Sequence, residues 1–302
     1  MRFLAILTTA LLAFPLSAQD STAYTDSLFE DLHVALNTDS IEATFEYQFG
    51  AVQVAEGAVT LNLPDSFKFL GGEQARQLVV DLWENPPVIA DKLLGVISYA
   101  DAGAFDARSS FIVYFEPIGY VSDEDADGID YDSMLNDMLK EDSLENAQRL
   151  ADGYSALWLV GWASPPFYDK KAKVLHWAKE MRQDSTEDNV LNYNIRVLGR
   201  RGVIIINGVT GMARLEEMKA EVPVMIDLVA FNDGHRYDQF NAATDEVADR
   251  SVGGLIDGKV KEKFASVLKL LLKVAAIALV SLIAIVALIV ILVRRKKKAP
   301  MS

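Results

Sequence analysis

Val274 to Val293 is a run of twenty residues without a charge, all apolar except Ser281. As a helix at ~1.5 Å per residue it spans about 30 Å, the hydrocarbon thickness of a bilayer. A core helix of a water-soluble domain would show a polar face, and Ser281 can return its hydroxyl to its own helix. The run therefore predicts a transmembrane helix over 274–293.

The other end of the chain sets the orientation. Arg2 precedes an apolar stretch from Phe3 to Leu16, followed by Ser17-Ala18 and then polar Gln19-Asp20. This positive, apolar, small order is that of a secretory signal peptide over 1–18. Positive charge alone gives a tie across the span, because Lys259, Lys261, Lys263, Lys269 and Lys273 precede it and Arg294 to Lys298 follow it. Export directed by the N-terminus breaks the tie: residues after the signal cross the membrane until the apolar run halts transfer. The expected layout is a 19–49 acidic and helical segment, an exported domain over 50–258, a juxtamembrane Lys-rich segment over 259–273, the span, and a cytosolic basic tail over 294–302. That is a single-pass membrane protein, with the bilayer as its first partner.

Charge follows the same division. Residues 19–258 hold 18 basic and 42 acidic side chains, a balance of -24, whereas 259–302 holds ten basic side chains against Glu262 alone. An acidic body repels phosphate backbones, so nucleic acid is not an expected partner. The absence of cysteine rules out disulfides, thiolate metal sites and thiol catalysis.

Within the exported part the hydrophobic period changes repeatedly. Leu28, Leu32 and Leu36 recur every four residues and permit an amphipathic helix outside the core. Val52 and Val54, a Glu56-Gly57 turn, then Val59, Leu61 and Leu63 predict a hairpin. A helix is expected over Glu73 to Trp83, ended by Asn85-Pro86-Pro87, and another from Tyr131 to about Tyr154. Two more are expected near Ala213 to Phe231, with Pro223 in doubt inside it, and Gln239 to Asp249. Strand patterns occupy Leu94 to Tyr99, Phe111 to Glu116, Ala156 to Gly161, Val174 to Lys179, Asn192 to Leu198 and Val203 to Asn207. The last two are joined through Gly199-Arg200-Arg201-Gly202. Sequential strands with short turns and helices in the gaps indicate an α+β fold, a mostly antiparallel sheet with packed helices.

Motifs for chemistry are sparse. Asp123, Asp125 and Asp127 alternate ahead of Gly128, with Asp130 and Asp132 beyond, which is how a loop gathers oxygen ligands around calcium. The twelfth position, where a bidentate Glu would close the loop, is Met134. The alternative is an acidic turn in which Asp130 caps the helix at Tyr131. Histidines stand only at 33, 176 and 235, with no H-E-x-x-H, G-x-S-x-G or phosphate-cradling glycine run, so no catalytic set is named. Aromatic runs at 161–169 and 231–240 offer Trp162, Tyr168, His235 and Tyr237 as candidate binding residues, alternatively as core.

Five segments, Gly119 to Asp132, Gly161 to Asp169, Leu175 to Ala178, Leu191 to Arg200 and Phe231 to Phe240, together resemble a bacterial membrane-anchored family of unknown function, domain 2167. One departure is Trp83-Glu84-Asn85-Pro86, where Gly is expected before Asn. The resemblance implies an exported domain with a C-terminal anchor in a bacterial inner membrane and carries no catalytic residues with it. The function expected is a non-catalytic module that binds another envelope protein or ligand. The alternatives are a calcium-binding domain on the Asp123–Asp132 loop and a carboxylate-dependent hydrolase of envelope polymers.

Overall fold

A computed structural model of the chain describes residues 38, 40–106, 108, 110–183 and 188–259. Contacts divide the chain after Lys259. The expected signal peptide, the 274–293 run and the expected cytosolic tail lie outside the described residues, among which no helix is long and apolar enough to cross a membrane.

The fold is α+β. Ten strands are described: β1 (Ala51–Val54), β2 (Val59–Asn62), β3 (Phe67–Gly71), β4 (Leu93–Tyr99), β5 (Ser110–Glu116), β6 (Leu157–Asp169), β7 (Val174–Gln183), β8 (Val190–Leu198), β9 (Val203–Gly211) and β10 (Val229–Phe231). Seven form an antiparallel sheet in the order β3-β4-β5-β9-β8-β7-β6, and β1-β2-β10 form a second one. Alternation sends Ile204 and Ile206 to one face of the large sheet and Ile205 to the other, so both faces carry a core. The first face packs against the small sheet and α3 (Leu215–Asp227). The second packs against α1 (Gly72–Arg76) with its π-helical continuation Gln77–Leu82, and against α4 (Gly254–Asp257).

The hairpin at 51–62 forms as its alternation requires. Pro223 is accommodated inside α3 because it is exposed, so the carbonyl it strips of a partner can turn to water. The expected helix at 239–249 is absent. There Asn241 Oδ1 accepts Ala243 N–H at 3.0 Å and Asp245 Oδ2 accepts Asn241 N–H at 2.8 Å, local bonds that compete with a helical ladder. Residues 41–47 lie against the body: Phe45 is buried, and Glu42 accepts Tyr47 Oη at 2.8 Å and Ala104 N–H at 2.7 Å.

Two other departures have local causes. β6 runs through Pro165-Pro166 to Asp169, beyond the strand end that the pattern predicts at Gly161; it is an edge strand with register shifts, which tolerate proline. Glu84, standing where the family resemblance calls for Gly, sits at φ 54°, the left-handed residue that closes the 72–82 helix. α2 (Tyr131–Ala151) begins at Asp130, whose side chain accepts Ser133 N–H at 2.9 Å. It docks on β6 by polar clamps: buried Asn146 accepts Leu157 N–H at 2.6 Å and donates to Leu157 O at 3.2 Å, and Asp142 accepts Leu159 N–H at 3.2 Å.

Candidate functional site

Three loops meet at one end of the large sheet: 117–130 after β5, 170–173 between β6 and β7, and 232–247 after β10. Each is positioned by local chemistry. Gly119 has φ 89°, and a Cβ there would lie 2.7 Å from Glu246 O, so only glycine lets Tyr120 pair with Val247. Asp169 Oδ1 accepts Lys171 N–H at 2.8 Å and Ala172 N–H at 2.9 Å, which folds the tight turn. Lys173 follows at φ 59° and faces the 117–130 loop.

Asp123 joins all three. Its Oδ2 accepts Tyr168 Oη at 2.9 Å and Lys173 Nζ at 2.7 Å, and its Oδ1 accepts Tyr237 Oη at 3.1 Å. Tyr237 Oη also lies 2.9 Å from Val121 O. Burial alone would raise the Asp123 carboxyl, yet Lys173 and the two phenols more than reverse this and hold it below the usual carboxylate range. Burial, then the bond to Asp123, pushes the Tyr168 phenol up.

Rings cover the hub: Tyr120 stacks on Phe240 at 3.8 Å and lies 4.5 Å from Tyr237, and Lys173 Nζ sits 4.8 Å from the Tyr237 ring centre. Beside them Arg200 closes a fork on the fully covered Asp245 carboxylate at 2.6 and 3.0 Å, and donates to Gly234 O at 3.1 Å. That fork holds Asp245 well below the usual carboxylate range.

Of the expected binding residues, Tyr168 and Tyr237 come together on Asp123. Trp162 is elsewhere, on β6, its indole N–H donating to Tyr131 O at 3.3 Å. His235 lies in the 232–236 turn, where its carbonyl accepts Arg200 N–H at 2.9 Å. The five expected calcium ligands do not converge. Asp123 faces Lys173, Asp127 pairs with Lys170, Asp130 caps α2, and Asp125 Oδ2 accepts Gly253 N–H at 3.5 Å. Among the described residues no three acidic or histidine side chains gather closely enough to hold an ion. His176 is a satisfied sheet residue, 3.0 Å from the Tyr193 hydroxyl. Lys173, Arg200 and Asp245 are invisible to sequence patterning because a lone Lys or Arg in a turn carries no spacing signal; their partners lie 45 to 50 residues away.

The segments that meet here are those that carry the family resemblance, and the model for proteins of unknown function, DUF2167, matches residues 46–290. The chain belongs to the DUF2167 family. No curated protein matches this DUF2167 chain by sequence. Among solved structures it is similar to a cyanobacterial PsbP from Synechocystis, at 10% identity and TM-score 0.34 over 63% of this chain and 94% of that one. It is similar to a point mutant of the protein Mog1, at 11% identity and TM-score 0.34 over 63% and 97%. It is also similar to the Ran-binding protein Mog1p of Saccharomyces cerevisiae, at 11% identity and TM-score 0.32 over 66% and 100%.

Proposed function

We propose that the chain is a non-catalytic binding module, held on the outer face of a bacterial cytoplasmic membrane by the 274–293 run, whose loop end engages another envelope protein. The observation that carries this reading is the Asp123 hub. Tyr120, Tyr168, Tyr237 and Phe240 stay partly exposed while loops distant in sequence are locked by ion pairs and hydrogen bonds. Rings fixed in this way offer contact area with little entropy left to lose on association, the property of recognition surfaces. The Asp123 carboxylate, Lys173 ammonium and Tyr168 and Tyr237 hydroxyls are bound to one another, which suits support of a surface more than proton transfer to a substrate.

A photocrosslinking residue at Asp238, 77% exposed beside the hub, is expected to give discrete adducts in native membranes. The same residue at Val88, 72% exposed, serves as the control and is expected to give none. Equal adducts from both, or none from either, would overturn the reading. A reporter fused after Ser302 is expected to be active only in the cytosol; activity on the far side of the membrane would remove the anchor from the proposal.

A second reading, calcium binding by the 123–132 loop, has one observation in its favour: Asp125 Oδ1 is buried with no hydrogen-bond donor. Calorimetry should then show calcium binding that Asp125→Ala abolishes, and no heat from the wild type ends this reading.

A further inference from the structure

The second face of the large sheet carries polar residues in the middle of its strands, where a core would be apolar. Pairing places them in two rows: Ile112, Asn207, Asn194 and Trp177 in one, Ser110, Val209, Asn192 and Lys179 in the next. Arg196 lies on the same face, with Ile205 separating it from Tyr114. Val209 is 41% exposed and Asn192, Asn207, Ser110, Lys179 and Arg196 are half-buried, so solvent reaches this floor.

What distinguishes the recess is an excess of donors. A guanidinium has five N–H groups. Those of Arg196 reach Ile195 O at 3.1 Å and Asn207 Oδ1 at 3.0 Å from Nη1, and Asn194 Oδ1 at 3.3 Å from Nη2. Nε–H and one N–H of Nη2 are left with no acceptor among the described residues. Trp177, whose ring centre is 4.9 Å from the guanidinium carbon, is 1% exposed with its indole N–H unbonded. Tyr114 is 7% exposed with its hydroxyl unbonded. The Lys179 ammonium makes no hydrogen bond or ion pair among the described residues. Glu116, the acid that acts on Arg196, is shared with Lys92 at 2.8 Å and Arg250 at 3.5 Å, and Glu145, Asp142 and Asp257 act on Lys179. Buried donors without acceptors are destabilising, and Trp177 and Tyr114 are two of them. Burial lowers the Arg196 guanidinium to about 10, with Glu116 and then Tyr114 opposing, so it stays charged at neutral pH.

We propose that this recess is a binding site for a small molecule bearing a carboxylate or phosphate group. Its oxyanion takes the free edge of Arg196, beside the Trp177 ring. A carboxylate or phosphate group presents a pair of acceptor oxygens at the spacing that the guanidinium fork matches, which a single-atom anion such as chloride does not. The site is separate from the loop end and stands or falls independently of it.

The test uses the full chain in detergent with tryptophan labelled by nitrogen-15, titrated with sodium phosphate or sodium acetate against sodium chloride of equal ionic strength. Phosphate or acetate is expected to shift the Trp177 indole resonance, assigned with Trp177→Phe, and to raise Tm by several degrees at saturation, as a ligand that binds only the folded state must. A response to phosphate alone identifies a phosphate ligand, and one to acetate alone a carboxylate. Arg196→Met is expected to fold, with Tm equal to or above wild type, and to lose both responses. No response in the wild type, or the same response in Arg196→Met, overturns the proposal. Should Arg196→Met fail to fold, Arg196→Lys is the second variant: it keeps the charge, loses the fork, and is expected to weaken binding at least tenfold, while unchanged binding overturns the proposal.

Discussion

The Asp123 hub at the loop end and the sheet recess hold polar groups in opposite states of satisfaction. At the loop end a single carboxylate, Asp123, meets three donors, and Asp245 meets the Arg200 fork. In the recess the donors outnumber the acceptors: Arg196 keeps two N–H groups free, and Trp177 and Tyr114 one each. Satisfied networks tie a fold together, whereas unsatisfied ones persist in a marginally stable protein when something outside the chain completes them. The contrast separates residues that support structure from residues that await a ligand.

The largest effect is expected from Asp123→Ala, which strands the Lys173 ammonium and the Tyr168 hydroxyl. Removing one partner of a covered, charge-assisted network costs about 2–4 kcal/mol, measured as a lower urea midpoint at unchanged slope. A change under about 1 kcal/mol would break the comparison at its first member. Arg196→Met is expected to do the reverse and stabilise by about 1–2 kcal/mol, because it removes a desolvated charge whose acid, Glu116, is shared with Lys92 and Arg250, while keeping the stem that packs on Trp177. A loss as large as that of Asp123→Ala would show the recess to be structural.

Acid should act on the loop end selectively. Asp123 and Asp245 are both held below the usual carboxylate range in the folded chain. Their contribution is therefore fully present above the unfolded value of about 4 and is lost as pH falls through the folded values. Wild type should lose stability below about pH 4 with a steeper slope than Asp123→Ala, and equal slopes would place the acid-sensitive groups elsewhere.

Two smaller substitutions calibrate these. Glu84→Gly relieves a left-handed residue without touching either region and should stabilise by about 0.5–1 kcal/mol; no gain would mean that the Glu84 side chain makes a compensating contact. Lys170→Ala removes an exposed ion pair to Asp127 and should change stability by less than about 0.5 kcal/mol. A larger loss would mean that surface charge, and not the Asp123 hub, holds the loops.

Much of the secondary structure was legible because it depends on neighbours in the chain. The 51–62 hairpin arises from alternation around Glu56-Gly57, and α2 from its cap at Asp130. The failures required distant partners. The helix expected over 239–249 gives way to local bonds of Asn241 and Asp245, and the Asp245 carboxylate that makes one of them is held in place by Arg200, 45 residues away. β6 survives Pro165-Pro166 only because it lies at the sheet edge, which no window of sequence reveals. β3, a short apolar run without clear alternation, became visible only through its pairing with β4.

The candidate site was half legible. Aromatic residues beside glycine and proline pointed to Tyr168 and Tyr237, and the acidic run pointed to Asp123. The same spacing suggests five aspartates around an ion, whereas the fold disperses them to a lysine pair, a helix cap and a backbone amide. Nothing in the pattern marked Arg196, which reads as one polar residue in an alternating strand.

Residue order alone was enough for the α+β class, the acidic balance of the body and the twenty-residue apolar run, since each is a property of composition or of short periodicity. Only the folded arrangement decides which donors find acceptors. Asp123 is filled from residues 45 to 114 positions away, while Arg196 keeps two N–H groups with no acceptor among the described residues, because strand pairing and loop packing choose partners by position in space.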